Sequence, residues 1–216
     1  MTGKKEEIIK KVEAIGLVPV IRTRTQEDAV EAVGALVEAG VPVAEVTFSV
    51  PDAPGVIARL KKIHGKDCLV GAGTVTTCEE CRQALEAGSD FIVTPVTVPE
   101  IIELCRARGV AMVCGALTPT EVFNAWSAGA DVVKIFPATA MGGPTYIKNL
   151  SGPLSQVPVA PTGGVTPDNT EAYLRNGARF VGAGSDLVPA IVDEAAKAQI
   201  ATQARRYLDA IKAARV

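Results

Sequence analysis

The chain has 216 residues, of which 48% are hydrophobic and 21% charged, with 20 Gly and 14 Pro. That composition excludes a disordered tail, a collagen and a small disulfide knot. A net charge of −2 with 4% aromatics argues against the basic face and stacking platforms of a nucleic-acid binder, although net charge says little about a local anion site.

In chain order, Lys4 to Ile15 reads as a short helix ahead of a first strand, Leu17–Ile21. Helical spacing follows at Ala29, Val33, Leu36 and Val37. Further strands are expected at Ala44–Phe48, Leu69–Val70, Phe91–Val93, Ala111–Val113, Val132–Phe136, Val157–Ala160 and Phe180–Val181. Helix starts fall between them. Thr76-Thr77-Cys78-Glu79-Glu80 offers two overlapping capping boxes, Thr97-Val98-Pro99-Glu100 another, and Thr118-Pro119-Thr120-Glu121 adds Pro at the first helical position. Thr166-Pro167-Asp168 opens a helix the same way, and Ala190 to Ala214 supplies the last one. Eight glycines (Gly16, Gly40, Gly65, Gly88, Gly109, Gly129, Gly152 and Gly177) are spaced 20 to 25 residues apart and read as helix ends, where glycine accepts a left-handed backbone.

The strands are continuous apolar runs, which marks strands covered on both faces of a parallel sheet. Eight even strand–helix units without a linker fit an α/β fold of the (β/α)8 TIM-barrel type, one domain over residues 1–216 with a short N-terminal helix. A doubly wound open sheet is the alternative. No apolar stretch approaches the roughly 18 residues that span a bilayer, so no membrane is expected. Five cysteines, an odd number, without a signal peptide point to reduced thiols in a cytoplasmic protein. Cys78 and Cys81 form one CxxC in a helix's first turn, and the chain has a single His, His64; packing is favoured over metal or redox use. No metal site is expected. Cys114, at the end of a buried strand, reads as a packing residue, Trp126 as core or interface, and Lys61, Lys62, His64 and Lys66 as a solvated helix end.

In such barrels chemistry sits at the C-terminal ends of the strands. Those ends carry Arg22, Glu45, Thr47, Thr74, Thr94, Lys134, Thr162 and Ser185. Glu45 and Lys134 stand out because each interrupts an apolar run, and a charge in a covered strand is costly unless paired or neutralised. Two readings are open: a structural Glu45–Lys134 ion pair, or an amine nucleophile. A lysine of ordinary pKa is under roughly 0.1% neutral at pH 7; lowering it about three units frees roughly a quarter of the amines and corresponds to about 4 kcal/mol. Such an amine forms Schiff bases with ketones. Two glycine-rich turns, Thr162-Gly163-Gly164-Val165 after the seventh strand and Gly182-Ala183-Gly184-Ser185 after the eighth, stand where barrels bind phosphate through backbone N–H groups.

The strings EVTFSVPDA, GAGTV, FIVTP, VVKIFPA, PTGGVTPDN and GAGSDLV resemble the 2-keto-3-deoxy-6-phosphogluconate (KDPG/KHG) aldolase family, class I pyruvate aldolases on a (β/α)8 barrel. The resemblance implies that Lys134 is the Schiff-base lysine and Glu45 the proton-transferring carboxylate. It implies that Arg22 and Thr74 contact the pyruvate-derived part, and that Gly163, Gly164 and Ser185, with Thr162 beside them, contact phosphate. It further implies a phosphorylated keto-acid substrate, cleavage to pyruvate and glyceraldehyde 3-phosphate, no cofactor, and a homotrimer. One position departs: many members carry Arg four residues after the Glu, where Ser49 stands here, which leaves Arg22 more of the carboxylate pairing. The galactonate-derived epimer as substrate, 4-hydroxy-2-oxoglutarate as a further one, and a catalytically silent phosphometabolite-binding barrel are the other readings.

Overall fold

The structure is a computed structural model describing residues 2–216. Helix α1 (Thr2–Ile15) leads into eight strand–helix units: β1 (Leu17–Ile21), α2 (Gln26–Glu38), β2 (Val43–Thr47), α3 (Ala53–His64), β3 (Leu69–Gly73), α4 (Cys78–Glu86), β4 (Phe91–Val93), α5 (Pro99–Arg108), β5 (Ala111–Ala116), α6 (Pro119–Ser127), β6 (Val132–Ile135), α7 (Pro144–Ser151), β7 (Val159–Pro161), α8 (Pro167–Arg175), β8 (Val181–Ala183) and α9 (Glu194–Ala214). A single 3₁₀ turn, Ala138–Met141, precedes α7.

All neighbouring strands run parallel, in the order β7-β6-β5-β4-β3-β2-β1-β8. Bridges from Val159 to Ala178 and from Thr162 to Gly182 bring β7 against β8. The sheet therefore curls into a nearly closed TIM barrel with helices outside. β1, β2, β5 and β6 are buried at every position, which is why they read as unbroken apolar runs. All the buried apolar side chains except Val20 form one contiguous cluster. Ile9 and Val12 of α1 close the end where the strands begin, against Val18, Phe91 and Phe180.

One device recurs at that end. Asp90 accepts from the Val70 N–H at 2.9 Å and pairs with Lys61 at 2.6 Å. Asp131 accepts from the Met112 N–H at 2.9 Å and pairs with Lys5 at 2.7 Å. Each aspartate ties the start of its own strand to the strand before it. Lys61 therefore has a structural partner, where the sequence suggested a solvated helix end.

Local signals hold at most caps. Thr77 with Glu80 and Thr118 with Glu121 form capping boxes. Of the eight expected helix-ending glycines, seven have positive φ. Gly152 has φ −63 because the chain keeps turning right-handed, with Leu154 N–H donating to Leu150. Thr97 caps nothing: its hydroxyl donates to the Gly115 carbonyl at 2.8 Å, and Val98 takes the N-cap position. The last helix starts at Glu194, later than Ala190. Ala190 accepts from Arg24 N–H and Val192 N–H donates to Asp28, so this segment is held against the β1–α2 loop. The Asp193 side chain then caps α9.

Cys78 begins α4, and Cys81 packs its sulfur 3.9 Å from that of Cys105. Burial pushes the Cys68 thiol up to about 12 and raises Cys114 as well, which keeps both protonated and unreactive. Among the described residues no helix is long and apolar enough to cross a membrane, and no group of three or more His, Cys, Asp and Glu side chains is arranged to hold a metal ion.

The α6 cap carries a pH signature. Backbone N–H groups of Thr118 and Leu117, with the Thr118 hydroxyl, hold the Glu121 carboxyl below its usual range. A carboxyl depressed in the native state stabilises above its unfolded pKa, and that contribution is lost as pH falls through the native value. Glu121→Ala is expected to lower the melting temperature at neutral pH, and thermal scans down to pH 2 should show the gap from wild type narrowing. A gap independent of pH means that the charge of Glu121 plays no part.

Candidate active site

Glu45 is the middle residue of β2 and Lys134 the third residue of β6. Both point into the barrel. The amine Nζ lies 3.4 Å from Glu45 Oε1, with 7% and 3% of the two side chains exposed. Small residues shape the space around them. Lys134 is in register with the small residues Gly115 and Ala160 on the neighbouring strands, and glycine at 115 lets the Pro95–Val96 backbone pass close by, where a Cβ would lie 2.2 Å from Pro95. A Cβ on Gly73 would lie 2.1 Å from Glu45 Oε1; glycine there leaves the space the carboxylate occupies.

The separation is informative. The structural pairs Lys61–Asp90 and Lys5–Asp131 close to 2.6 and 2.7 Å, within the range of a tight charge-assisted bond. The barrel pair is looser, as catalytic hydrogen bonds often are before substrate arrives. The Phe136 ring stands with its centroid 5.5 Å from Nζ and walls one side of the amine.

Above the pair, Arg22 is exposed, and its guanidinium approaches Thr74 Oγ1 at 3.5 Å. Thr74 has φ +55, which is strained for a β-branched residue and costs on the order of 1–3 kcal/mol. Thr74 directly follows Gly73, so the strained residue adjoins the wall of the Glu45 carboxylate. Ser49 makes a 2.6 Å hydrogen bond with Thr47, whose hydroxyl donates to the Ile21 carbonyl at 2.8 Å. Ser49 thus ties the β2–α3 loop to the end of β1, beside Arg22.

The two glycine turns lie side by side, joined at their base by the Thr162–Gly182 bridge. Gly163 and Gly164 have φ +90 and +74. Their carbonyls are held from behind: Gly163 O accepts from Thr139 N and Oγ1, both at 3.3 Å, and Gly164 O accepts from Asn169 Nδ2 at 2.9 Å. A trans peptide points its N–H away from its C=O, so the N–H groups of Gly164 and Val165 face the other way. Among the described residues, these two and the Ser185 N–H donate to no acceptor. Unpaired N–H groups in a glycine turn form an anion cradle. Thr162 is buried at the base of this cradle and Ser185 is exposed at its rim.

The structure therefore brings together Lys134 with Glu45, Arg22 with Thr74, and Thr162, Gly163 and Gly164 with the Ser185 turn. Sequence reasoning did not single out Phe136, Thr139 or Asn169. The first was visible only as the aromatic residue that closes the expected strand Val132–Phe136. The other two act on carbonyls 24 and 5 residues away.

The model of the family "KDPG and KHG aldolase" matches residues 8–203. The 2-dehydro-3-deoxy-phosphogluconate aldolase of Treponema pallidum is 36% identical, covering 85% of this chain and 87% of its own. The 2-dehydro-3-deoxy-6-phosphogalactonate aldolase of Escherichia coli is 35% identical, covering 91% and 96%. A solved structure of KDPG aldolase from Legionella pneumophila, with pyruvate captured at low pH as a covalent carbinolamine intermediate, superposes with a TM-score of 0.77. It is 30% identical and covers 94% of this chain and 97% of its own. With its barrel and a match along most of its length, the chain belongs to the KDPG and KHG aldolase family and is a carbon–carbon lyase.

Proposed function

We propose that this chain is a class I aldolase that cleaves a phosphorylated 2-keto-3-deoxy sugar acid to pyruvate and glyceraldehyde 3-phosphate, with Lys134 as nucleophile and Glu45 as proton carrier. One observation carries the reading: a buried amine 3.4 Å from a buried carboxylate, inside the barrel. The pyruvate carbinolamine of the Legionella relative supports it.

The neutral Lys134 amine attacks the C2 ketone to give a carbinolamine. Glu45 protonates the departing hydroxyl, and loss of water leaves an iminium. The iminium draws in the electron pair of the C3–C4 bond while Glu45 takes the C4 hydroxyl proton. Glyceraldehyde 3-phosphate leaves, and an enamine remains on Lys134. Glu45 returns the proton to C3, and water hydrolyses the resulting iminium to pyruvate and free lysine. Arg22 and Thr74 hold the carboxylate of the pyruvate portion. The N–H groups of the glycine turns, with Ser185, hold the phosphate and supply remote binding energy that positions C4.

KDPG is the first substrate of this reading. The phosphogalactonate epimer is the second, because the Escherichia coli relative that acts on it matches over 91% of the chain. Cleavage of 4-hydroxy-2-oxoglutarate to pyruvate and glyoxylate uses the same amine without the phosphate cradle. Rates on the two phosphorylated epimers and this unphosphorylated acid rank the three. A homotrimer belongs to the same reading, and Phe123 on α6, 45% exposed with its ring 6.1 Å from that of Trp126, provides apolar surface for it. The five unpaired cysteines fit a cytoplasmic setting.

Incubation with pyruvate and borohydride should leave a stable adduct on the wild-type chain and none on a folded Lys134→Ala variant; an adduct persisting in that variant excludes Lys134. Glu45→Gln should lower turnover by about 10²–10⁴ while still binding pyruvate, and turnover near wild type removes Glu45 from the proton transfers. Gly73→Ala pushes the carboxylate aside, and a misplacement of about 1 Å can cost roughly 10²-fold in kcat. Steady-state rates that stay unchanged in this variant contradict the placement of Glu45.

A further inference from the structure

Tyr207 lies on α9, on the outer layer of the barrel and away from the strand ends in sequence, yet its side chain is fully buried. Its hydroxyl reaches the Val165 carbonyl at 2.9 Å and Asp186 Oδ2 at 2.8 Å. Val165 belongs to the turn after β7, and Asp186 directly follows Ser185 in the turn after β8. One phenolic proton thus faces an acceptor on each of the two glycine turns.

We infer that Tyr207 is a positioning residue, which latches the two turns together at the spacing a phosphate needs and sets phosphate affinity without touching the substrate. The inference rests on the phosphate-binding role proposed above for these turns. Below them, the turns are joined by the Thr162–Gly182 bridge. Further out, Thr139 and Asn169 fix the β7 turn, but neither reaches the β8 turn. Tyr207 is the group that spans both. Burial, with the Asp186 carboxylate beside it, pushes the phenol up, so it stays protonated as a donor. Holding Asp186 also keeps that carboxylate turned towards α9. Released, a negative side chain one residue from Ser185 would repel a phosphate or compete for its N–H donors.

Neighbouring α9 residues support the same clamp. Arg206 pairs with Asp168 in the first turn of α8 at 3.1 Å, and Gln203 Nε2 donates to the Asp186 carbonyl at 3.5 Å. Both are exposed or partly so, whereas the bond from Tyr207 to the Val165 carbonyl is buried and correspondingly stronger.

Tyr207→Phe removes the hydroxyl and keeps the ring that fills the buried site. Three quantities are measured on this variant, with circular dichroism to verify folding: KM and kcat for the phosphorylated keto acid, inhibition by inorganic phosphate, and the concentration of pyruvate giving half-maximal borohydride trapping. KM should rise roughly 3- to 10-fold, the value of one hydrogen-bond donor, with phosphate inhibition weakened in step. Pyruvate trapping and kcat should stay within about 2-fold. Equal losses in pyruvate trapping and phosphate binding would make Tyr207 a general structural residue and overturn the inference. Phosphate competition on the wild-type chain and Ser185→Ala, measured alongside, separate the two levels of the argument. If Ser185→Ala raises KM and Tyr207→Phe does not, the latch is wrong and the phosphate site stands. If inorganic phosphate does not compete with the phosphorylated keto acid even on the wild-type chain, the phosphate site is wrong and the latch falls with it. If it does compete and Tyr207→Phe leaves KM unchanged, the latch alone is wrong whatever Ser185→Ala shows, because that variant keeps the Ser185 N–H in place.

Discussion

A lysine amine and a glutamate carboxylate share the inside of a mainly apolar cylinder, 3.4 Å apart, and the surrounding architecture accommodates that pair. Taking two charges out of water costs several kcal/mol per ion, and hydrophobic residues of similar volume often serve stability as well or better. The barrel nevertheless leaves out a side chain to house them: glycine at 73 makes the space that the carboxylate occupies. Stability alone does not account for this arrangement. The proposed carbon–carbon cleavage through an iminium does, because it needs an amine and a proton carrier within reach of the same few atoms.

The rest of the molecule divides its tasks by distance from that pair. The ends of β1 and β3 bring Arg22 and Thr74 to the mouth, Thr74 in a strained conformation that the flanking strand must hold in place. The turns after β7 and β8 supply N–H donors whose orientation is set from behind by Thr139, Asn169 and Tyr207. In the proposed reading the outer helices take part in substrate recognition, through the carbonyls and carboxylate they hold rather than through ligands they touch. At the opposite end, α1 and the paired Asp90 and Asp131 links close the barrel and fix strand register.

Much of this was legible in the amino-acid order because the determining signals are local. Lys134 and Glu45 are charges within apolar runs. The glycine turns announce their backbone requirement, and Thr118 with Glu121 satisfy a helix start three residues apart. What escaped depends on partners distant in sequence. Thr97 has the spacing of a cap, but its hydroxyl is taken by Gly115, 18 residues on. The start of α9 shifts because Asp28 holds Val192, 164 residues away. Tyr207 sits at core spacing on a helix, and its two acceptors lie 42 and 21 residues back; a buried tyrosine alone gives no hint which turns its hydroxyl will join.

The account stands on the identity of one nucleophile. Borohydride trapping of pyruvate on the unmodified protein, followed by proteolysis and mass-spectrometric mapping of the modified peptide, addresses it directly. The account predicts the label on the peptide containing Val133-Lys134-Ile135 and on no other lysine-bearing peptide. Label on a surface lysine instead, with that peptide unmodified, would contradict it.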